Sequence, residues 1–222
     1  MMGEWLRRRR NSLGYGVQSP GDFYFVQHVL REQLPYYGYA ALKEMQLKYG
    51  ACLPHYSEAT NRLLFRLANY AHPDTIIEVG AGLSAFAMAM ACPTARSIAL
   101  SSSVVCCEAM HPLLAEYPQV EIKCVDGVPP LDDLFNEIEA VPLLHIAHTP
   151  YCREIVDAAL AHVAGRTLIV IEGIRDGREK RDWWKSLQVD SQVEVVYDLG
   201  NIGLLSFGNS YHKGTYWINL KE

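Results

Sequence analysis

The stretch Ile76-Ile77-Glu78-Val79-Gly80-Ala81-Gly82-Leu83-Ser84-Ala85 carries the densest chemical content of the chain. A carboxylate stands two positions before a Gly-x-Gly turn, and an apolar run leads into it. Glycines let the backbone bend tightly and let a ligand approach it, while N–H groups at the start of the following helix attract electron-rich or anionic groups. A strand-to-helix turn without a ligand is the plainer alternative, because glycine serves turns alone. A second constellation follows in Leu144-His145-Ile146-Ala147-His148 and Ile171-Glu172-Gly173. His148 and Glu172 fall at the carboxyl ends of neighbouring strands, where they could face each other across a crevice and act together as a general base. A loop histidine and a solvated or capping glutamate are the bland counterpart. His145 lies three residues from His148, so within one strand the two point to opposite faces and cannot form a metal pair. His145 therefore reads as a hydrogen-bonded core residue.

The turn at Gly80-Ala81-Gly82-Leu83-Ser84-Ala85 also satisfies the loose dinucleotide pattern G-x-G-x-x-G/A, a weak match by itself. That reading needs an acid roughly 20 residues on to hold ribose hydroxyls. The next apolar run ends instead in Leu100-Ser101-Ser102-Ser103, with no carboxylate and no arginine directly beside the serines. A nicotinamide cofactor loses ground accordingly.

The elements that must position these residues alternate. Thr75–Val79, Arg96–Leu100, Val120–Val125, Val141–Ala147 and Thr167–Ile171 are short apolar runs, each followed by a helix-like stretch, which is the βαβ pattern. The unbroken Leu168-Ile169-Val170-Ile171 predicts a strand buried on both faces, hence a parallel sheet between helices with right-handed crossovers. Gln192–Asp198, Gly203–Phe207 and Thr215–Leu220 follow with turn residues between them (Gly200-Asn201 and Gly208-Asn209-Ser210), and read as antiparallel strands closing the sheet. Before residue 70 the chain is helical. Apolar residues recur at helical spacing in Asp22 to Leu34 and in Ser57 to Tyr70, the latter with Ser57 as N-cap, and a Tyr-rich segment from Tyr36 to Tyr39 separates them. The division predicted is an N-terminal helical cap over 1–56 and an α/β domain over 57–222, with any ligand crevice at the carboxyl ends of the strands.

Composition narrows the function classes. With 222 residues, 50% of them hydrophobic, the chain can bury a full-sized core. A net charge of -5 and a pI near 5.9 argue against a broad phosphate-binding surface, so a nucleic-acid partner is not expected. The most apolar stretch, Val79 to Cys92, is shorter than the ~20 residues of a membrane span, and no signal peptide is legible, which makes the cytoplasm the default location. Six scattered cysteines without a Cys-x-x-Cys pair read as reduced, mostly buried thiols. Arg7 to Arg10 reads as a solvated arm. Trp183 and Trp184 read as one packed and one half-exposed aromatic.

Taken together, Glu78-x-Gly80-x-Gly82, Asp126-Gly127 after the third strand, and five βα units closed by a hairpin resemble the class I S-adenosylmethionine-dependent methyltransferases, over roughly residues 55 to 220. Gly14-Tyr15-Gly16-Val17-Gln18-Ser19-Pro20, Glu172-Gly173-Ile174, Trp184 and Gly203-Leu204-Leu205-Ser206-Phe207 resemble more narrowly a bacterial branch of O-methyltransferases. The resemblance implies a Rossmann-like methyltransferase fold and S-adenosylmethionine as cofactor. It implies that Glu78, Gly80 and Gly82 shape the methionine-side pocket with Ser84 at the helix start, and that Asp126, with Gly127, reaches the adenine. The family usually ends its second strand in an acid that grips both ribose hydroxyls; here Ser101 and Ser102 are the candidates, and a serine cannot make the bidentate charged bond. Where related enzymes place an aspartate after the fourth strand, this chain has Ala147, and the acidic pair after the fifth strand is reduced to Glu172. A hard cation wants several carboxylate oxygens, so no metal site is predicted. The expectation is metal-independent methyl transfer to an oxygen of a small-molecule acceptor, with His148 and Glu172 as catalytic pair, no nucleic-acid or membrane partner, and a homodimer left open. The alternative is a degenerate methyltransferase-fold protein that binds or regulates without turnover.

Overall fold

Alternating apolar runs of the kind just described become eight strands in one sheet of the computed structural model, which describes residues 2–53, 57–127, 129, 131–138, 141–163, 165–208 and 213–220. The strands are β1 (Thr75–Val79), β2 (Arg96–Ser101), β3 (Val120–Cys124), β4 (Leu143–Ile146), β5 (Thr167–Glu172), β6 (Val195–Asp198), β7 (Ile202–Phe207) and β8 (Gly214–Trp217), in the order β3-β2-β1-β4-β5-β7-β6-β8. The first five are mutually parallel, and β7 runs antiparallel to both β5 and β6. The order reverses between β1 and β4, the switch point at which an open α/β sheet leaves a crevice.

Period-two alternation sorts side chains onto two apolar layers. Ile76, Leu143, Leu168 and Val170 face one layer, with helices α4 (Glu58–Ala71) and α5 (Leu83–Ala91). Ile77, Val79, Leu144, Ile146, Ile169 and Ile171 face the other, with α7 (Leu131–Glu137), α8 (Cys152–Leu160) and α9 (Gly177–Leu187). Helix α6 (Val104–Met110) follows β2. Ser57 caps α4 as predicted, its Oγ accepting from Thr60 N at 3.2 Å. Trp184 is buried and Trp183 half-buried, again as read; a Cβ on Gly203 would fall 2.4 Å from the Trp184 ring, so this crossing of α9 over β7 requires glycine.

Four expectations are corrected. The third closing strand is not antiparallel: β8 pairs in parallel with β6, register Val195↔Gly214 to Asp198↔Trp217. Asn209 and Ser210 of the predicted turn before it lie outside the described residues. The helix expected over Asp22 to Leu34 is α2 (Pro20–Phe25) continued by a π-helical turn (Val26–Leu30) that ends early, where Arg66 of α4 donates from Nε to Val29 O (2.8 Å) and from Nη2 to Leu30 O (3.1 Å). Two helices were not foreseen: α1 (Met2–Ser12), which contains the arginine run, and α3 (Gly38–Tyr49) after the tyrosines. Arg8 is no solvated arm, since its Nη2 meets Asp198 Oδ1 at 2.5 Å and its Nη1 donates to Asp198 O at 3.0 Å, while Arg7 stacks 4.6 Å from the Trp217 ring centre. Finally, only Cys92, Cys107 and Cys152 are buried thiols, whereas Cys52 and Cys124 are exposed.

Candidate functional site

β1 delivers the chain into the glycine turn. Gly80 adopts φ +85°, and a Cβ there would lie 2.9 Å from the Ala147 methyl, so the turn after β1 and the residue after β4 are both held to small side chains. The N–H groups of Gly80 and Ala81 donate to Leu100 O of β2 at 2.9 and 3.0 Å, which ties the turn to the neighbouring strand. Gly82 then precedes α5, all of whose residues are buried.

Glu78 points to the α4/α5 side and is fully buried. Its Oε1 accepts from Ser84 Oγ at the start of α5 and lies 3.4 Å from His145 Nδ1; its Oε2 has no hydrogen-bond partner among the described residues. His145, paired in register with Glu78, is completely buried, and its Nε2 is 2.9 Å from Glu172 Oε1. Burial by itself disfavours the imidazolium, but the hydrogen bonds and charges of Glu172 and Glu78 outweigh it and push the His145 pKa up to about 9. Glu172, also buried, reaches onward with Oε2 to 3.6 Å from His148 Nε2. His148 is half exposed, and its Nδ1 lies 3.1 Å from Asp176 Oδ2. Asp176 in turn accepts from Asn201 Nδ2 at 3.3 Å. Gly173, at φ +68°, makes room for this: a Cβ would come within 2.3 Å of Asp176 Oδ2 and 3.0 Å of His148 Cε1.

A cavity of about 1040 Å³ opens above these strand ends. Of the residues singled out in the sequence, Gly80, Ser101, Ser102, His148 and Glu172 line it. Ser101 closes β2 buried, its Oγ accepting from Ser103 N at 3.2 Å, while Ser102 is exposed. Glu78 and Ser84 lie beneath the turn rather than on the wall, and Gly82 is likewise not a wall residue. Asp126, exposed, and Gly127 follow β3 outside the wall. Sequence reasoning brought His148 and Glu172 together, as the structure does. It missed Asp176 and Asn201, which no spacing marks, and the Glu78–His145–Glu172 row, which was legible as polar residues in phase with Ile76, Leu143 and Leu168 on otherwise apolar strands.

No protein-family model and no curated protein sequence matches the chain. Crystal structures do. An O-methyltransferase from Bacillus cereus in complex with SAH superposes with a TM-score of 0.59 at 16% identity, covering 86% of this chain and 98% of that one. The O-methyltransferase TomG from Streptomyces achromogenes, involved in tomaymycin synthesis and in complex with SAM, gives 0.58 at 18%, covering 83% and 94%. A methyltransferase from Geobacter sulfurreducens gives 0.54 at 15%, covering 78% and 90%. The chain has the Rossmann-like methyltransferase fold. The β1–α5 turn, the end of β2 and the ends of β4 and β5 wall the cavity. At these identities the likeness is one of fold.

Proposed function

We propose that the protein binds S-adenosylmethionine in this cavity and transfers the methyl group, without a metal ion, to an oxygen of a small-molecule acceptor. The observation that carries the proposal is the convergence on one cavity of the Gly80 turn and the His148–Glu172 pair, at the switch point of the sheet. The volume suits a nucleoside-sized ligand with an acceptor beside it. On the donor side Gly80 would border the methionine end, with Glu78, Gly82 and Ser84 shaping the turn from beneath: Glu78 Oε1 accepts from Ser84 Oγ, and a Cβ at Gly80 would close the turn. Ser101 and Ser102 would meet the ribose, and Asp126 with Gly127 the adenine. The bound donor supplies a methyl carbon made electrophilic by its sulfonium.

The chain's own residues then do three things. The strand ends fix the acceptor oxygen in line, which is where most of the acceleration in such a transfer arises. His148, oriented by Asp176 at Nδ1, takes the hydroxyl proton at Nε2, and the Glu172 carboxylate stabilises the imidazolium. Ala147, its methyl facing Gly80, presents no ligand atom where related enzymes carry an acid, which supports transfer without a hard cation. The cytoplasm as location and a small molecule rather than a nucleic acid as acceptor belong to the same proposal.

Ser101 and Ser102 in place of an acid at the end of β2, with Ala147 after β4, favour one competing reading, a degenerate methyltransferase-fold protein that binds or regulates without turnover. Release of S-adenosylhomocysteine from S-adenosylmethionine, measured across phenols, catechols and aliphatic alcohols, separates the two. Turnover that falls by about 10²–10⁴ in His148→Ala supports the base, unchanged turnover removes it, and donor binding with no turnover on any acceptor supports the competing reading.

A further inference from the structure

His145 has no place in binding or proton abstraction as derived above, yet it is the residue through which the two halves of the site touch. β4 lies between β1 and β5, so its inward-facing side chain at the carboxyl end has the β1 carboxylate on one flank and the β5 carboxylate on the other. Nδ1 stands 3.4 Å from Glu78 Oε1 and Nε2 2.9 Å from Glu172 Oε1, all three side chains being at least nineteen-twentieths buried. Two carboxylates in an apolar layer repel each other and lose hydration; a cation between them offsets both penalties, and a neutral residue would leave one of them to pick up a proton. From Ser84 to Asp176 the contacts are continuous: Ser84 Oγ, Glu78, His145, Glu172, His148, Asp176.

We propose that His145 is a positioning residue: a buried imidazolium that joins the carboxylate beneath the donor-side turn to the carboxylate beside His148, and so sets the basicity of His148 from across the sheet. The inference rests on the proposed function for its purpose but not for its test, which needs neither donor nor acceptor. Among the described residues, the charged groups around the His148–Glu172 pair include His145 from β4, Glu78 from β1, Asp176 from the loop before α9, and Lys180 of α9, whose Nζ donates to Glu172 O at 2.9 Å. Only the first two belong to the relay. Removing the cation exposes His148 to the whole charge of Glu172 and raises its titration midpoint; removing the Glu78 charge leaves His145 to Glu172 alone and lowers it.

The test is ¹⁵N-NMR of the histidine side chains in the full chain. In the unaltered protein both His145 nitrogens carry protons at pH 7; a neutral His145 ring at that pH overturns the proposal without any variant. The His148 midpoint shifts up by about one unit in His145→Gln and down, by less, in Glu78→Gln. A midpoint that stays in place in Glu78→Gln overturns the coupling even should His145→Gln not fold, since a merely structural role for His145 moves thermal stability and not the His148 titration. Calorimetry of the same samples with S-adenosylmethionine reads the donor site separately, so failure of donor binding and failure of the relay are distinguishable.

Discussion

Gly173 has no side chain, and the acceptor side of the cavity depends on that. Its positive φ and the 2.3 Å and 3.0 Å approaches of a would-be Cβ to Asp176 and His148 mean that Gly173→Ala displaces both the base and the carboxylate that orients it. Gly177 shares the positive φ (+79°) but has open space around its would-be Cβ, so Gly177→Ala isolates the backbone penalty. Both substitutions are expected to cost about 1–2 kcal/mol of stability in thermal unfolding, and only Gly173→Ala is expected to slow S-adenosylhomocysteine release, by about tenfold or more. Equal rates for the two variants would place His148 outside the chemistry. At this scale the sequence was informative where a polar residue ends an apolar run, as for His148 and Glu172. It was silent on Asp176, whose role comes from a loop path that no periodicity encodes, and on the Ser101 hydroxyl, whose partner is its own neighbour's N–H.

The parallel strands were legible as elements because four of them, β1, β2, β4 and β5, are apolar runs buried on both faces with few polar residues, and the boundaries of all five match to within two residues. β8 was misread in direction, since alternation within a strand says nothing about which neighbour it joins or how the chain returns to it. Helix α1 was invisible for a related reason: four consecutive arginines give it no apolar stripe, and what docks it is Asp198, 190 positions away. Asp198 is buried and also accepts from Trp184 Nε1 at 3.2 Å and from Arg175 Nη2 at 3.2 Å, so one carboxylate gathers α1, β6, α9 and the loop after β5. Arg8→Ala leaves Arg175 and Trp184 to hold it, and is expected to cost about 1–3 kcal/mol in denaturant unfolding, against less than about 0.5 kcal/mol for exposed Arg10→Ala. Equal effects of the two would mean that α1 is not anchored by this pair. Asp22 plays the matching part for α2, accepting from Tyr197 OH at 2.8 Å and Tyr216 OH at 3.3 Å.

Across the whole molecule, the buried polar groups set the pH range in which the fold is stable. His145 is held above its ordinary value, to about 9, so its contribution is complete below about 6.5 and is lost as pH rises through about 9. Burial, with the Asp22 charge and hydrogen bonds, likewise raises Tyr197 and pushes Tyr216 up to about 12, so their contribution is lost at still higher pH. The sign is the same for all three: the melting temperature is expected to fall by several degrees between about pH 7 and 10, and His145→Gln is expected to flatten that fall. A flat profile in the unaltered protein would contradict the buried imidazolium. The central claim is that the hollow beside Gly80 accepts a sulfonium donor, and calorimetric titration of S-adenosylmethionine into the full chain tests it most directly. The account predicts one site of about micromolar affinity, weakened about tenfold or more by Glu78→Gln; no binding heat at about millimolar donor would contradict it.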